Sequence, residues 1–251
     1  MKIISIYNRK GGVGKTTTTM NIASALSMEG KKVLLIDTDS QCNLTDTICK
    51  KPYFENTIYD VLRYPDYDIT EAIIPTEYEN LYILPGTDML KKIAVEITAD
   101  TSINVNYRLK KQLRKISDEY DYIIIDCAPT EDAVTGNVLI ASDEVIIPIL
   151  LEDYSVDGVN KMVDTIFNYK EEFFVDLKIK GILATQLDRR KKDHTDKSKA
   201  LRKALGDLYL PCEIRTDQKV NESIKIAPIV YFDPKSKASR DYKKLVKEVI
   251  L

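Results

Sequence analysis

Five short, continuously apolar runs constrain the fold of this 251-residue chain more than any other feature. They read "KIISIYN" (2–8), "KKVLLID" (31–37), "DYIIIDCAP" (121–129), "DEVIIPIL" (143–150) and "KIKGILAT" (178–185). Such runs suit strands that are covered on both faces, as in a parallel sheet. Helical patterns alternate with them at about 15–30, 102–118, 131–141, 155–171, 195–206 and 236–250. This order predicts an α/β fold with a doubly wound, mostly parallel sheet and helices on both faces.

Length and composition bound the organisation of the chain. We expect a single domain over residues 1–251, in which the less regular segment from about 50 to 100 forms short helices and one strand, "LYILPG". A net charge of -2 gives no global reason to expect nucleic-acid binding, so any DNA site must be a local patch. The four cysteines form no C-x-x-C pair, which argues against zinc and favours a reduced, cytoplasmic protein.

A glycine-rich loop follows the first predicted strand and precedes the first predicted helix. "NRKGGVGKTTTT" (8–19) nearly matches the phosphate-binding pattern G-x-x-x-x-G-K-[ST], with Arg9 in place of the first glycine and Lys10 as an additional lysine. The glycines let backbone N–H groups point at phosphate oxygens, and the helix adds the positive end of its dipole. Lys15 is then expected to neutralise the β- and γ-phosphates, while the Thr16 hydroxyl binds Mg²⁺.

Three carboxylates follow predicted strands. Asp37 and Asp39 leave the second strand two residues apart, so both can face a metal–phosphate site. The alternative is a polar turn, since Asp and Asn are common turn formers. Asp126 ends the apolar run "YIIID" beside the loop, where it can hold Mg²⁺ through water.

These motifs together resemble the ParA/MinD family of ATPases, a branch of the P-loop proteins. "KGGVGKTT" (10–17) has the form of the family's deviant Walker A motif, and "DTDSQCN" (37–43) matches D-x-D-P-Q-x-N with serine for proline. "ASDEVIIPILLEDYSVDGV" (141–159) resembles a stretch at the family's dimer face, and "YFDPKSKASRDYKKLVKEV" (231–249) resembles the small, Soj-like ParA proteins of the chromosome- and plasmid-partition branch. The resemblance covers nearly the whole chain and is weakest over about 50–105.

The resemblance implies ATP and Mg²⁺ as cofactors and assigns a role to each matched residue. Lys10 reaches across a face-to-face homodimer to the partner's ATP, Asp39 orients the attacking water, and Asp37 lies nearer Mg²⁺. Lys10, Lys15 and Asp39 are therefore the expected catalytic residues. The expected metal-site residues are Thr16, Asp37 and Asp126, and the expected nucleotide-binding residues are Lys10, Gly11, Gly12, Val13, Gly14, Lys15, Thr16, Thr17, Glu152, Arg215 and Asp217.

The last three of these residues are matched by position. Glu152 holds the place of an acidic residue at the dimer face, and Arg215 and Asp217 lie in the place of the adenine-contact loop, although the proline usual there is missing. The segment after Asp126 also departs from the family pattern. It reads "CAPTEDA", so one proline is lost, and Glu131 and Asp132 replace small or apolar residues.

Positive charge is concentrated towards the C-terminus. Residues 188–251 contain 17 Lys and Arg against 10 Asp and Glu. Such clusters bind DNA phosphates without reading sequence, although the solvated face of amphipathic helices is the alternative. The resemblance favours nonspecific DNA binding by the ATP-bound dimer, hence a nucleoid-associated cytoplasmic protein whose hydrolysis is stimulated by a ParB-like centromere-binding partner. The expected DNA-binding residues are Lys219, Lys235, Lys237 and Arg240, and no helix-turn-helix segment is expected before the loop.

Three other branches fit less well. A membrane-bound regulator of MinD type needs a basic amphipathic helix beyond the fold; "DYKKLVKEVIL" (241–251) instead places Leu245, Val246 and Val249 on a core-facing stripe, so no membrane is expected. An iron-protein branch needs a cysteine pair, whereas Cys127 is expected to pack at a strand end and His194 to lie at the surface. A metabolic synthetase lacks a recognisable substrate motif here.

Overall fold

The structure, a computed structural model, describes residues 1–51, 53–101, 105–152 and 156–251, and only the backbone of residues 156 and 157. Its strands are β1 (Lys2–Ile6), β2 (Val33–Asp37), β3 (Ile74–Pro75), β4 (Leu81–Leu84), β5 (Tyr122–Asp126), β6 (Glu144–Leu150) and β7 (Lys178–Thr185). They form one sheet in the order β3-β4-β2-β5-β1-β6-β7. Neighbouring strands are parallel throughout except for β3 and β4. The predicted mostly parallel α/β fold is therefore confirmed.

Helices connect the strands and cover both faces of the sheet. They are α1 (Lys15–Met28), α2 (Asn43–Cys49), α3 (Ile58–Arg63), α4 (Leu90–Ala99), α5 (Arg108–Arg114), α6 (Ala133–Ala141), α7 (Val156–Glu172), α8 (Lys192–Leu205), α9 (Gln218–Ser223), α10 (Ile229–Phe232) and α11 (Lys237–Leu245). A π-helical turn, Val246–Ile250, continues α11. The expected stripe is confirmed: Leu245 and Val246 are buried, and Val249 packs against the same core.

Two apolar cores explain why the strand sequences are apolar without alternation. Successive side chains of a strand point to opposite faces of its sheet. On β5, Ile123 and Ile125 belong to the core beneath α4–α7, whereas Ile124 belongs to the core beneath α1 and α11. Each face is covered by helices, so every position of β2 is buried, as is every position of β1 and β5 after the first.

The predicted element boundaries differ from the structure in two regions. The segment from 50 to 100 contains a second strand, β3, whose two residues are too few to produce a pattern. The helix predicted over about 102–118 is shorter, since a 3₁₀ turn (Val105–Tyr107) leads into α5. Residues 102–104 of that prediction, and residues 153–155 of the resemblance over 141–159, lie outside the described residues.

The strand register brings the chemistry-bearing segments together. In the parallel ladders Asp126 pairs in register with Ile6 on one side and with Asp37 on the other. The loops that leave β1, β2 and β5 therefore start at the same edge of the sheet. The carboxyl edge of a parallel sheet is where α/β proteins bind their ligands.

Candidate active site

The glycine-rich loop is held in place by side chains from neighbouring strands. The buried Asn8 amide donates to the carbonyl oxygen of Pro148 (2.7 Å), and its Oδ1 accepts the Lys10 N–H (2.9 Å). The Thr185 hydroxyl, at the end of β7, donates to the Val13 carbonyl oxygen (2.9 Å). Gly12 and Gly14 have φ of 75° and 84°, a left-handed conformation that favours glycine. The loop is thus fixed as an open cradle at the start of α1.

Lys15 lies inside this cradle. Its side chain is only 7% exposed, and its ammonium donates to the Lys10 carbonyl oxygen (3.0 Å). Burial lowers the pKa of Lys15, an effect that the nearby Asp126 carboxylate opposes. Asp39 also acts on the Lys15 ammonium, and a buried cation in such a setting gains from a bound anion because the low dielectric strengthens the attraction.

Asp126 carries a buried carboxylate oxygen that makes no hydrogen bond of ordinary geometry among the described residues, although the nearby Thr16 hydroxyl stabilises the charged carboxylate and so lowers its pKa. Its Oδ1 accepts a hydrogen bond from the Thr19 hydroxyl (3.3 Å), whereas Oδ2 is buried without such a bond. Burial raises the pKa of Asp126 well above its usual range, and the nearby Asp37 carboxylate raises it further. A buried carboxylate oxygen of this kind fits a hydrated Mg²⁺ ion.

Asp37 was expected near Mg²⁺, but in the structure both of its carboxylate oxygens accept hydrogen bonds from the protein. Its Oδ2 accepts from the Thr45 N–H (2.9 Å) and hydroxyl (2.7 Å), and its Oδ1 accepts from the Asp39 N–H (3.1 Å). It is fully buried and does not line the cavity described below, and burial raises its pKa to about 6. In this form Asp37 ties the end of β2 to α2, so its contact with a metal stays a prediction.

A cavity of about 380 Å³ opens from the cradle. Gly11, Lys15 and Thr16 line one end of it, and Asp39 lines its side. The other end is a largely apolar wall from the segment 214–224 together with α11, formed by Ile214, Val220, Ile224 and Tyr242. A polar, cationic end and an apolar end suit a ligand with phosphates on one side and a planar apolar group on the other.

Arg215 and Asp217 line the same cavity, but their charged groups contact protein. The Arg215 guanidinium makes a two-pronged ion pair with Asp241, at 2.7 Å from NH2 and 2.9 Å from Nε. Asp217 caps two helices, since Oδ1 accepts from the Lys219 N–H (3.1 Å) and Oδ2 from the Lys237 N–H (2.7 Å). Neither residue has a free charged group to offer an adenine base. Their expected role beside adenine thus rests only on their position in the cavity.

Comparison with known proteins agrees with this geometry. Residues 1–179 match the family described as an AAA domain. The sporulation initiation inhibitor protein Soj of Bacillus subtilis is 37% identical over 99% of this chain and 98% of its own length. The chromosome partitioning protein ParA of Myxococcus xanthus is 35% identical over 99% of this chain and 88% of its own. This chain belongs to the ParA/MinD family of P-loop ATPases.

A solved structure shares the fold of this family member. The cobyrinic acid a,c-diamide synthase of Mycobacterium smegmatis, with a bound ATP analogue and magnesium, superposes with a TM-score of 0.85. It is 27% identical and covers 100% of this chain and 94% of its own. In the described parts of the present family member, no helix is both long and apolar enough to cross a membrane.

Two of the three charged departures from the family pattern contact each other. Arg9, which replaces the first glycine of the P-loop pattern, pairs with Glu131 from the segment after β5, with 3.0 Å between Nε and Oε1. Asp132 has a local role, since its Oδ1 accepts from the N–H groups of Val134 and Thr135 (3.0 Å each) and so caps α6. Sequence reasoning noted both departures but not their contact, because they lie far apart along the chain.

His194 was expected at the surface, and this prediction is wrong. It is 5% exposed on α8. Its Nδ1 accepts the Asp188 N–H (3.2 Å), so Nε2 carries the proton towards Oε1 of Glu152 (2.9 Å). Lys191 also contacts this oxygen (2.5 Å) and, with His194, lowers the pKa of Glu152 to about 2. A helical register that turns position 194 inward explains the burial.

Glu152 does not line the cavity that contains Lys15. It lies in an adjoining space of about 220 Å³, which shares Thr185, Gln186 and Thr216 with that cavity. Its expected contact with a nucleotide therefore stays a prediction. Cys127, by contrast, is buried at 1% exposure next to Asp126, which confirms that it packs at a strand end.

The expected DNA-binding residues lie near one another. Lys235, Lys237 and Arg240 are exposed at the start of α11, while Lys219 on α9 pairs with Glu222 (2.6 Å). The Asp217 carboxylate joins the N-termini of α9 and α11. The structure thus brings these four cations to one region beside the apolar wall of the cavity.

Proposed function

We propose that this protein is a DNA-partition ATPase that acts as a nucleotide switch. The observation that carries the proposal is the cavity lined by Lys15, Thr16 and Asp39 at the end of the glycine-rich loop, with the buried Asp126 carboxylate close to Lys15. Two relatives at 35–37% identity are a sporulation inhibitor, Soj, and a chromosome partitioning protein. The structure with an ATP analogue and magnesium supports ATP and Mg²⁺ as the ligands.

Each residue of the cradle has a distinct task in this proposal. The N–H groups of Gly11–Gly14 and the Lys15 ammonium hold the β- and γ-phosphates. The Thr16 hydroxyl and, through water, Asp126 hold Mg²⁺, which when bound neutralises phosphate charge. Asp39 orients the water that attacks the γ-phosphate.

The switch itself is ATP-dependent dimerisation. Lys10 is exposed beside the cradle, while Lys15 already occupies its interior. Two nucleotides facing each other bring several negative charges together, so a cation from each side stabilises the dimer. Lys10 fits this role, reaching the partner's ATP. Lys10→Ala is therefore expected to bind a fluorescent nucleotide normally yet remain a monomer with ATP in sedimentation velocity.

The dimer then binds DNA without reading its sequence. Lys219, Lys235, Lys237 and Arg240 supply the phosphate contacts, and a centromere-binding partner stimulates hydrolysis to release the complex. The protein in this state is nucleoid-associated. The deciding experiment measures retention on a DNA column with ADP, ATP and a non-hydrolysable ATP analogue. Binding with ATP or the analogue but not with ADP supports the switch, and equal binding with all three contradicts it.

A membrane-associated regulator of MinD type is the competing proposal. Pelleting the ATP-bound protein with anionic liposomes separates the two. Sedimentation with liposomes in the absence of DNA retention overturns the partition proposal in favour of a membrane role.

A further inference from the structure

The Arg9–Glu131 contact lies beside the residue proposed to cross the dimer interface. Arg9 precedes Lys10, so their Cα atoms are about 3.8 Å apart. Both side chains of the pair are substantially exposed, Arg9 at 58% and Glu131 at 34%. Residues 9–12 of the loop and 129–131 of the segment after β5 are all exposed, and the Arg9–Glu131 pair joins these two segments, which we call the strip. If Lys10 enters a partner's site, this strip faces that partner.

We infer that Arg9 and Glu131 exchange partners in the ATP-bound dimer. Arg9 of each copy of this chain then contacts Glu131 of the second copy. This exchange rests on the proposed ATP-dependent dimer. It would make the dimer form between copies of this chain rather than with a different protein. In a two-fold interface, a contact of residue i with residue j occurs twice. Two arginines and two glutamates then form one neutral cluster near the symmetry axis.

The energetics differ between the free subunit and the dimer. In the free subunit the pair is exposed, and exposed ion pairs contribute little because water and salt screen them. In an interface the same charges lose water, and like charges placed opposite one another become strongly unfavourable. Charge complementarity at these two positions therefore selects which chains pair, while having little effect on the fold of each chain.

Two complementary variants test this exchange. Arg9→Glu leaves only acidic side chains at the two positions, and Glu131→Arg leaves only basic ones. With Mg²⁺ and a non-hydrolysable ATP analogue, each variant alone is expected to dimerise about tenfold or more weakly than the unmodified chain. An equimolar mixture is expected to recover dimers that are mainly heterodimers, since the mixed cluster is neutral. Native mass spectrometry of differently tagged chains counts the two species.

A matched control separates local contact from overall charge. Lys50 and Glu77 form an exposed ion pair (2.7 Å) that lines neither the nucleotide cavity nor the strip. Lys50→Glu and Glu77→Lys change the net charge by the same amounts as the test variants. They are expected to dimerise like the unmodified chain and to mix statistically.

The outcomes distinguish this inference from the proposed function. Binding of a fluorescent nucleotide by each variant checks that it is folded, since neither Arg9 nor Glu131 lines the cavity. Weak dimerisation of both variants without recovery on mixing, or normal dimerisation of both, overturns the exchange while the unmodified chain still dimerises. Failure of the unmodified chain to dimerise with ATP overturns the proposed function and the exchange with it.

Discussion

Asp126→Asn is expected to stabilise the empty protein and to weaken its response to Mg²⁺ and ATP. The wild-type carboxylate is buried, with one oxygen that makes no hydrogen bond of ordinary geometry among the described residues. A buried polar atom left without a hydrogen bond costs about 1–3 kcal/mol, and more when its group is charged. Attraction to Lys15 offsets part of this cost. We therefore expect Asp126→Asn to raise the free energy of unfolding at pH 8 by about 1–2 kcal/mol without ligand.

Binding of Mg²⁺ and ATP offsets this stability advantage of Asp126→Asn. At a ligand concentration of about 100 times Kd, binding stabilises the wild-type protein by about 2.7 kcal/mol. Loss of a residue that orients metal-bound water commonly weakens metal affinity by about 10- to 100-fold. A tenfold loss reduces the stabilisation to about 1.4 kcal/mol. When EDTA replaces Mg²⁺, the Mg²⁺-dependent stabilisation of both proteins should disappear, and Asp126→Asn should again be the more stable protein.

The pH dependence has a defined sign. Because folding raises the pKa of Asp126, wild-type stability is highest when this carboxyl is protonated and falls as pH rises above its unfolded value. The advantage of Asp126→Asn without ligand should therefore grow as pH rises from about 4. An advantage that shrinks over this range contradicts the burial argument.

Urea denaturation followed by circular dichroism measures these effects, because the chain has no tryptophan. The non-hydrolysable ATP analogue keeps the ligand constant during the titration. Asp121→Asn is the matched control, since Asp121 lies at the opposite end of β5, where its Oδ2 accepts the Lys32 N–H (2.8 Å). The reasoning is refuted if Asp126→Asn is less stable than wild type without ligand, or if it keeps the full Mg²⁺-dependent stabilisation.

Three further perturbations address other parts of the molecule. Asp39→Ala should bind ATP but hydrolyse it very slowly, so that its DNA complex persists; full turnover in a phosphate-release assay contradicts the water-orienting role. Reversing charge at Lys235, Lys237 and Arg240 should flatten the salt dependence of DNA binding, by about 0.9 in log–log slope for each DNA phosphate that is no longer neutralised, with DNA-free ATPase activity unchanged. Gly86→Ala places a Cβ 2.9 Å from Cγ of Asp37 and should cost about 1–3 kcal/mol in urea denaturation; an unchanged midpoint shows that the Asp37 network adapts freely.

The parts of the fold that sequence reasoning recovered are those with a local signal. The apolar strand runs, the glycine-rich loop and Asp126 at a strand end each lie within a few residues, so composition and spacing predict them. The strand β3 has only two residues, and a pattern needs more. The inward position of His194 depends on how α8 packs against Glu152, which is a tertiary contact.

The apolar end of the cavity was likewise not predicted from the sequence. Ile214, Val220 and Ile224 look like ordinary core residues in the sequence, and only the folded structure shows that they line the same cavity as the glycine-rich loop. The sequence analysis instead predicted the neighbouring charged residues as nucleotide contacts. Arg215 and Asp217 do reach this cavity, but their charges are used to hold α11 and α9 in place. Polarity is therefore a poor guide to which side chains face a ligand here.

The cavity is assembled from segments that are made at very different times during translation. Lys15 leaves the ribosome about 200 residues before the wall at 214–224. At roughly 5–20 residues per second, the nascent chain carries its phosphate loop for about 10–40 s without an apolar wall for the ligand. Nucleotide can therefore be retained firmly only near the end of synthesis. Stabilisation by the ligand then applies to the finished chain and not to its incomplete precursors, so cellular ATP favours survival of the complete product.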